Sequence, residues 1–180
     1  MRFLAMVLAA LSALMMDIEP AAAADVPAAV PSYIGRHTST LEDQREIAQV
    51  VAGFQAALKA KDIRQLASLM VNADIPWASP PPPEGITRMR EMSNPNANGL
   101  RAGGFHDFAR FVHESKAALE ERFYNVRITQ DKHIAWVMFD YEFVEDGKVG
   151  NYGIETWQMM KDAEGKWKIA SVWWTTNMPQ

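Results

Sequence analysis

Over residues 121–177 apolar and polar side chains alternate with a period of two, interrupted at Asp131-Lys132, Asp146-Gly147 and Asp162-Ala163-Glu164-Gly165. Alternation punctuated by turn residues predicts a four-stranded antiparallel meander. Upstream the period changes. Ile47, Val50, Val51, Phe54, Ala57 and Leu58 recur at helical spacing and predict a helix with one apolar face. Thr40 is suited to cap it, with Asp43 in the first turn and Lys59 and Lys61 at the far end. Asp62 opens a second short helix with Ile63, Leu66, Leu69 and Met70 inward, so the two helices form a hairpin. Residues 74–79 predict a short extended piece carrying Trp77. Prolines 80–83 end it, because each fixes φ and removes a donor. Residues 85–104 read as a long irregular connection of the kind that serves as a functional loop, with a lid over a cavity among its readings. A third helix is expected over 105–119, with Phe108, Phe111, Val112, Ser115 and Leu119 on one face.

The turns also predict a register. Asp146-Gly147 is a two-residue hairpin signal. It sets Val144 opposite Val149, Tyr141 opposite Tyr152, Phe139 opposite Ile154, Val137 opposite Thr156 and Trp136 opposite Trp157. A turn at Asp131-Lys132 sets Val126 opposite Val137 and Arg127 opposite Trp136. The 162–165 loop brings Thr156 near Ser171 and Ile154 near Trp173. Two faces follow. Tyr124, Val126, Ile128, Val137, Phe139, Tyr141, Phe143, Tyr152, Ile154, Thr156, Trp167, Ile169, Ser171 and Trp173 are expected toward the helices, enclosing a cavity. Phe123, Asn125, Arg127, Trp136, Met138, Asp140, Glu142, Glu155, Trp157, Met159, Val172 and Trp174 are expected on the other face. So many large apolar groups do not suit a solvated surface, so a homodimer packed sheet to sheet is expected. A slip of one residue would exchange the two faces.

The first 24 residues change the compartment. Arg2, an apolar run over residues 3–16 and small residues ending at Ala24 have the parts of a secretory signal peptide. The run is shorter than the roughly 20 residues a bilayer span needs. Cleavage after Ala24 is expected, with a periplasmic or secreted protein and no stable membrane anchor afterwards. Residues 25–40, rich in Pro, Ala and Ser, read as a flexible arm, and residues 41–177 as one domain. The chain has no cysteine, so its stability rests on the core without disulfides. Removing the leader takes Arg2, Asp17 and Glu19 and leaves 17 basic against 20 acidic residues. There is no basic stripe, so nucleic acid is not an expected partner.

Helix, helix, short strand, helix and a four-strand meander is the element order of a known fold. Ala135-Trp136-Val137, Glu145-Asp146-Gly147-Lys148, Glu155-Thr156-Trp157 and Gly165-Lys166-Trp167-Lys168-Ile169 look like the pattern of uncharacterised members of the nuclear transport factor 2-like superfamily. That superfamily includes ketosteroid isomerase-like and SnoaL-like proteins, and the resemblance covers about residues 41–176. It implies an α+β cone, with N-terminal helices packed on a strongly curved antiparallel sheet. It is specific for fold rather than activity, because this fold hosts isomerases, cyclases, dehydratases, hydrolases and binding modules. Enzymes of this kind commonly use a cavity carboxylate as general base, which needs an apolar pocket to raise its proton affinity.

The candidate chemistry is thin. The register turns Asp140, Glu142 and Glu155 away from the cavity, which leaves Asp140 and Glu155 as weak candidates for a base. Tyr141, Tyr152, Thr156 and Ser171 present hydroxyls inward, with Trp77 and Trp173 as aromatic walls. Apolar walls with a few placed polar groups suit a small-molecule site. No cofactor or metal is implied. His106 and His113 lie seven apart on one helix, without a third convergent ligand. Three readings follow: a cone-fold protein binding a small apolar or aromatic molecule, an isomerase, cyclase or dehydratase using a cavity carboxylate, and a dimeric interaction module whose cavity is filled.

Overall fold

The computed structural model describes residues 30–92, 94–99 and 103–179. The expected signal peptide and the first part of the arm lie outside the described residues. The chain divides into two units, Met1–Gly35 and Arg36–Gln180. In the first, a turn at residues 31–34 is closed by Ile34 N–H donating to Pro31 O at 3.0 Å. The second holds every helix and strand described below.

Helix α1, Leu41–Ala60, begins as its sequence requires. Thr40 is extended, and its hydroxyl accepts from Asp43 N–H at 3.0 Å. Lys61 stops the helix in the left-handed region at φ 53°. Helix α2, Ile63–Ser68, is capped by Asp62, which accepts from Gln65 N–H at 2.9 Å. Ile47, Val51, Phe54, Ala57 and Leu58 are buried, as the helical spacing predicts, and Leu66 and Met70 join them.

Asp43 is the acid that ties α1 to the sheet. It accepts from Gln130 Nε2 at 2.7 Å and Trp167 Nε1 at 3.2 Å, and pairs with Lys161. The bond from Lys161 holds its carboxyl well below the usual carboxylate range.

The six-stranded sheet runs in the order β2-β1-β6-β5-β4-β3 and does not close. Its strands are β1 Pro76–Ala78, β2 Gly103–Gly104, β3 Leu119–Asp131, β4 Ile134–Glu145, β5 Lys148–Lys161 and β6 Trp167–Trp174. β1 lies parallel to β6, and every other pairing is antiparallel. The architecture is α+β, with helices packed on a curved sheet. Phe54 is the hub of the core. Its ring meets Trp157 edge-on at 5.1 Å and stacks near Trp77, Phe108 and Phe123 at 6.0–6.2 Å. Burial of one such side chain contributes roughly 1.5–3 kcal/mol.

Two elements differ from the sequence reading. The 85–104 stretch is not irregular throughout: α3 occupies Pro83–Met92, and Gly103–Gly104 pairs with β1. Pro83 sits at the first helical position, where its missing N–H costs nothing. α3 buries none of its residues, so no apolar face announced it. Helix α4, Phe105–Glu114, is five residues shorter than expected. Ser115 leaves the helix at ψ 134°, and its hydroxyl accepts from Ala117 N–H at 3.2 Å. The chain then enters β3 at Leu119.

The register differs in a way that matters more. The Asp146-Gly147 turn forms with both φ positive, 48° and 80°, and Val144 does oppose Val149. Phe143 then pairs with Asn151, so Gly150 is an extra residue. This bulge shifts every later pair by one: Tyr141 opposes Gly153, Phe139 opposes Glu155, and Val137 opposes Trp157. A second bulge falls at Ala170, between the pairs Gln158–Ser171 and Met159–Ile169. The β3–β4 turn falls at Lys132-His133 rather than Asp131-Lys132, which places Ile128 rather than Val126 opposite Val137, and a third irregularity at Asn125 and Val126 shifts the pairs before it so that Phe123 opposes Tyr141. The faces of β5 are therefore exchanged. Glu155, Trp157 and Met159 point inward and are buried, while Tyr152, Ile154 and Thr156 lie on the outer face. On β6, Val172 and Trp174 turn toward the helices and Trp173 turns away.

Residues 175–177 extend the sheet beside β5. Thr175 N–H donates to Ile154 O at 2.9 Å and Asn177 N–H to Tyr152 O at 2.8 Å. This tail passes so close to Gly153 that a Cβ there would lie 2.2 Å from Thr175 O. Gly153→Ala is therefore expected to push the tail off and lower stability by about 1–3 kcal/mol in denaturant titration. An unchanged midpoint would contradict this packing.

Candidate functional site

A cavity of about 620 Å³ lies between α4 and the inner face of the sheet. All six strands and one helix line it. β1 contributes Trp77 and Ala78, and the pair Gly103–Gly104 closes the same side. Gly103 is required there, because a Cβ would come within 2.8 Å of Trp77 O. α4 contributes Phe108 and Phe111, three residues apart on one helical face, with Asp107 and Arg110 beside them. β4 contributes Tyr141, Phe143 and Glu145. β5 contributes Asn151 and Glu155, β3 Glu121 and β6 Trp174.

The walls are mostly aromatic. Trp77 stacks on Phe108 with centroids 4.6 Å apart and meets Trp174 edge-on at 6.5 Å. Phe111 leans on Phe143 at 5.9 Å. Two carboxyls sit among these rings. Glu155 is 3% exposed and Glu121 7%. Burial pushes the Glu155 carboxyl up to about 8, opposed in part by Trp157 Nε1–H, which donates to Oε1 at 2.5 Å. Burial raises Glu121 well above the usual carboxylate range, and the nearby charge of Glu155 raises it further. Two carboxyls this close in an apolar pocket do not both ionise readily, and they titrate as a unit. Oε2 of Glu121 has no hydrogen-bond partner. Such an atom is costly to bury unless something satisfies it.

Tyr141 is the third polar group. Its hydroxyl lies 2.8 Å from Asn151 Oδ1 and 2.9 Å from Thr175 O, so its proton is directed at acceptors. Burial also raises its proton affinity, as do the Glu155 and Glu121 charges.

The residues singled out from the sequence divide between this cavity and the opposite face. Trp77 and Tyr141 line it, and so does Glu155, which the Gly150 bulge turns inward against expectation. Asp140 remains outside, exposed and accepting from Asn125 Nδ2 at 2.6 Å. Tyr152 is 43% exposed and lines a shallow depression on the outer face with Tyr124 and Ile154. Trp173 is 42% exposed there, and Thr156 donates its hydroxyl proton to Trp173 O at 3.3 Å. Ser171 is buried but donates to Gln158 Oε1 at 3.2 Å and does not line the cavity.

The corrections to Tyr152, Thr156, Ser171 and Trp173 share one cause, the register shifts at Gly150 and Ala170. Glu121, Phe108, Phe111, Asn151 and Trp174 were missed as cavity residues. A glycine three residues past a tight turn was a readable signal for the bulge. Among the described residues no group of three or more His, Cys, Asp or Glu is placed to hold a metal ion.

No family model matches the chain, and no curated protein sequence matches it. Solved structures do. A protein of Novosphingobium aromaticivorans provisionally named a scytalone dehydratase is 15% identical, with a TM-score of 0.58 over 77% of this chain and 86% of its own. A provisionally named dehydratase of the NTF2-like family from Streptomyces avermitilis is 14% identical, with a TM-score of 0.55 over 77% of this chain and 98% of its own. An NTF2-like protein of unknown function from Shewanella baltica is 16% identical, with a TM-score of 0.57 over 80% of this chain and all of its own. At these identities the likeness is one of fold.

The buried pair makes stability depend on pH with a definite sign. Between pH 4.5, the ordinary value for glutamate, and about 8, native Glu155 keeps a proton that the unfolded chain releases. Stability therefore falls as pH rises through this window, with a slope of up to about 1.4 kcal/mol per pH unit for one proton. Glu155→Gln should flatten that slope in denaturant titrations at pH 5, 6.5 and 8. A wild-type stability that rises over this range would contradict the burial of this acid.

Proposed function

We propose that this chain, which has the cone fold of the nuclear transport factor 2-like superfamily, binds a small apolar or aromatic molecule between α4 and the sheet. The observation that carries the reading is the ring-walled cavity of about 620 Å³ with two buried carboxyls and a tyrosine among its walls. Small-molecule sites are concave and mostly apolar, with few polar groups. Trp77 and Tyr141 keep the role expected from the sequence. Phe108, Trp174, Glu121 and Glu155 take the places first given to Tyr152, Thr156, Ser171 and Trp173. A volume of this size does not favour the filled-cavity module.

A second reading is favoured by Glu121 and Glu155. Once the pair has lost one of its two protons, it holds a base and an acid at the same place. The ionised member removes a proton from one substrate atom, and the protonated member delivers one to another. The net result is an isomerisation, or a dehydration if the second atom is a departing hydroxyl oxygen. The provisional dehydratase names of two similar structures lean the same way. Glu155 replaces Asp140 as the candidate for this step.

A bicyclic aromatic ketone such as β-tetralone probes both readings. It should raise the melting temperature, because a ligand that binds only the native state stabilises it. In heavy water its protons α to the carbonyl should exchange, and Glu155→Gln should slow that exchange about 10²–10⁴-fold. No thermal shift with this ketone or with related one- and two-ring compounds would contradict the binding reading. A shift with no enzyme-dependent exchange would contradict the catalytic one.

We also propose that the mature protein is exported and pairs through its outer sheet face. Trp136, Ile154, Trp173, Tyr124 and Val126 are all more than 40% exposed on strands β3–β6. An apolar face this broad suits a second copy of itself. Native mass spectrometry of protein recovered from outside the cytoplasm should give twice the mass of a chain beginning at Asp25. A single full-length chain at micromolar concentration would contradict both statements.

A further inference from the structure

The charges around the cavity are unevenly distributed. Its titratable and charged groups are Glu121 on β3, Tyr141 and Glu145 on β4, Glu155 on β5, and Asp107 and Arg110 on α4. Four of the six are carboxyls. Arg110 is the one cation among them, and its Nη2 is bonded to Asp107 Oδ1 at 2.5 Å. Among the described lining residues no other cation is present to meet an anionic ligand. The Tyr141 hydroxyl proton is already directed at Asn151 and Thr175. The rings of Trp77, Phe108 and Trp174 add their electron-rich faces, which attract cations. Oε2 of Glu121, in a side chain more than nine-tenths buried, has no partner.

From these placements we infer that the cavity takes a ligand bearing a protonatable nitrogen, a small aromatic or alicyclic amine whose ammonium group meets Glu121 and Glu155 while its ring packs against Trp77 and Phe108. The inference rests on the small-molecule reading above and narrows its ligand class. An ammonium group brings donors and a positive charge to the buried carboxyl pair, including the unpartnered Oε2 of Glu121. In the free protein a proton does part of that work on the buried carboxyl pair. The amine replaces that proton, so one proton leaves the protein as each cation enters. Affinity then rises with pH up to about 8, by at most tenfold per unit. A ligand presenting a carbonyl or an anion has the opposite dependence, because it needs the carboxyls protonated.

The test is a matched series on one ring: 2-aminotetralin, 2-tetralol and tetralin-2-carboxylate, titrated by calorimetry at pH 6, 7 and 8 in buffers of different ionisation enthalpy. The amine is expected to bind at least tenfold more tightly than the alcohol at pH 8, to gain affinity with pH, and to release close to one proton. Glu121→Gln and Glu155→Gln, each checked for native circular dichroism, should weaken the amine about tenfold and the alcohol less than twofold. Alcohol or carboxylate binding as tight as the amine, or amine affinity that falls with pH, would overturn the inference while leaving the small-molecule reading in place. No binding by any member would count against both. Proton release in the unmodified protein decides the matter even where a variant fails to fold.

Discussion

A single extra residue at Gly150 decides which side chains of β5 face the helices. Without it, the tight turn at Asp146-Gly147 would carry Tyr152, Ile154 and Thr156 into the core and leave Glu155 and Trp157 outside. With it, Trp157 packs edge-on against Phe54 and Phe139 at 5.1 Å, and Glu155 is buried in the same row. The core and the cavity therefore come from the same register. Trp157 fills the space beneath α1, and its indole N–H holds the carboxyl two residues earlier. The site cannot be moved without repacking the core.

The fold treats its buried acids in two different ways. Asp43 is surrounded by donors from α1's cap, β3, β5 and β6, and its lowered proton affinity is the mark of an acid the structure satisfies. Its contribution to stability is present above the ordinary aspartate range and is lost as pH falls well into the acid region. Glu121 and Glu155 are the reverse. Their proton affinities are raised because the rings around them offer little in exchange for lost hydration. An arrangement that lowers stability as pH rises, placed in an aromatic-walled hollow, is the kind of compromise found at functional sites. Asp43 holds the cone together, and the glutamate pair waits for a proton or a ligand.

Much of this was legible in the residues. The spacing of Ile47, Val51, Phe54 and Leu58 gave α1 its buried face, and Thr40 and Asp62 were read as caps from chemistry alone. The inward row Val137, Phe139, Tyr141 and Phe143 was also correct, because β4 has no bulge residue of its own. β5 and β6 were misread because strict alternation carries no record of an inserted residue. Gly150 and Ala170 each reset the parity, and everything beyond them changed sides. α3 escaped notice because it buries nothing and so leaves no periodic signature. Glu121 escaped because the irregularity at Asn125 and Val126 resets the parity of β3, so an acid that strict alternation places outward faces inward.

The central claim is that Glu121 and Glu155 share a desolvated hollow and hold protons that ordinary glutamates release. Carbon-13 NMR of the side-chain carboxyls in glutamate-labelled protein, titrated from pH 4 to 10, reads this directly. Two carboxyls should remain protonated far past the rest, one of them losing its proton near pH 8 and vanishing from the spectrum in Glu155→Gln. If every glutamate in the folded protein titrates near its ordinary value of 4.5, the account of the site is wrong.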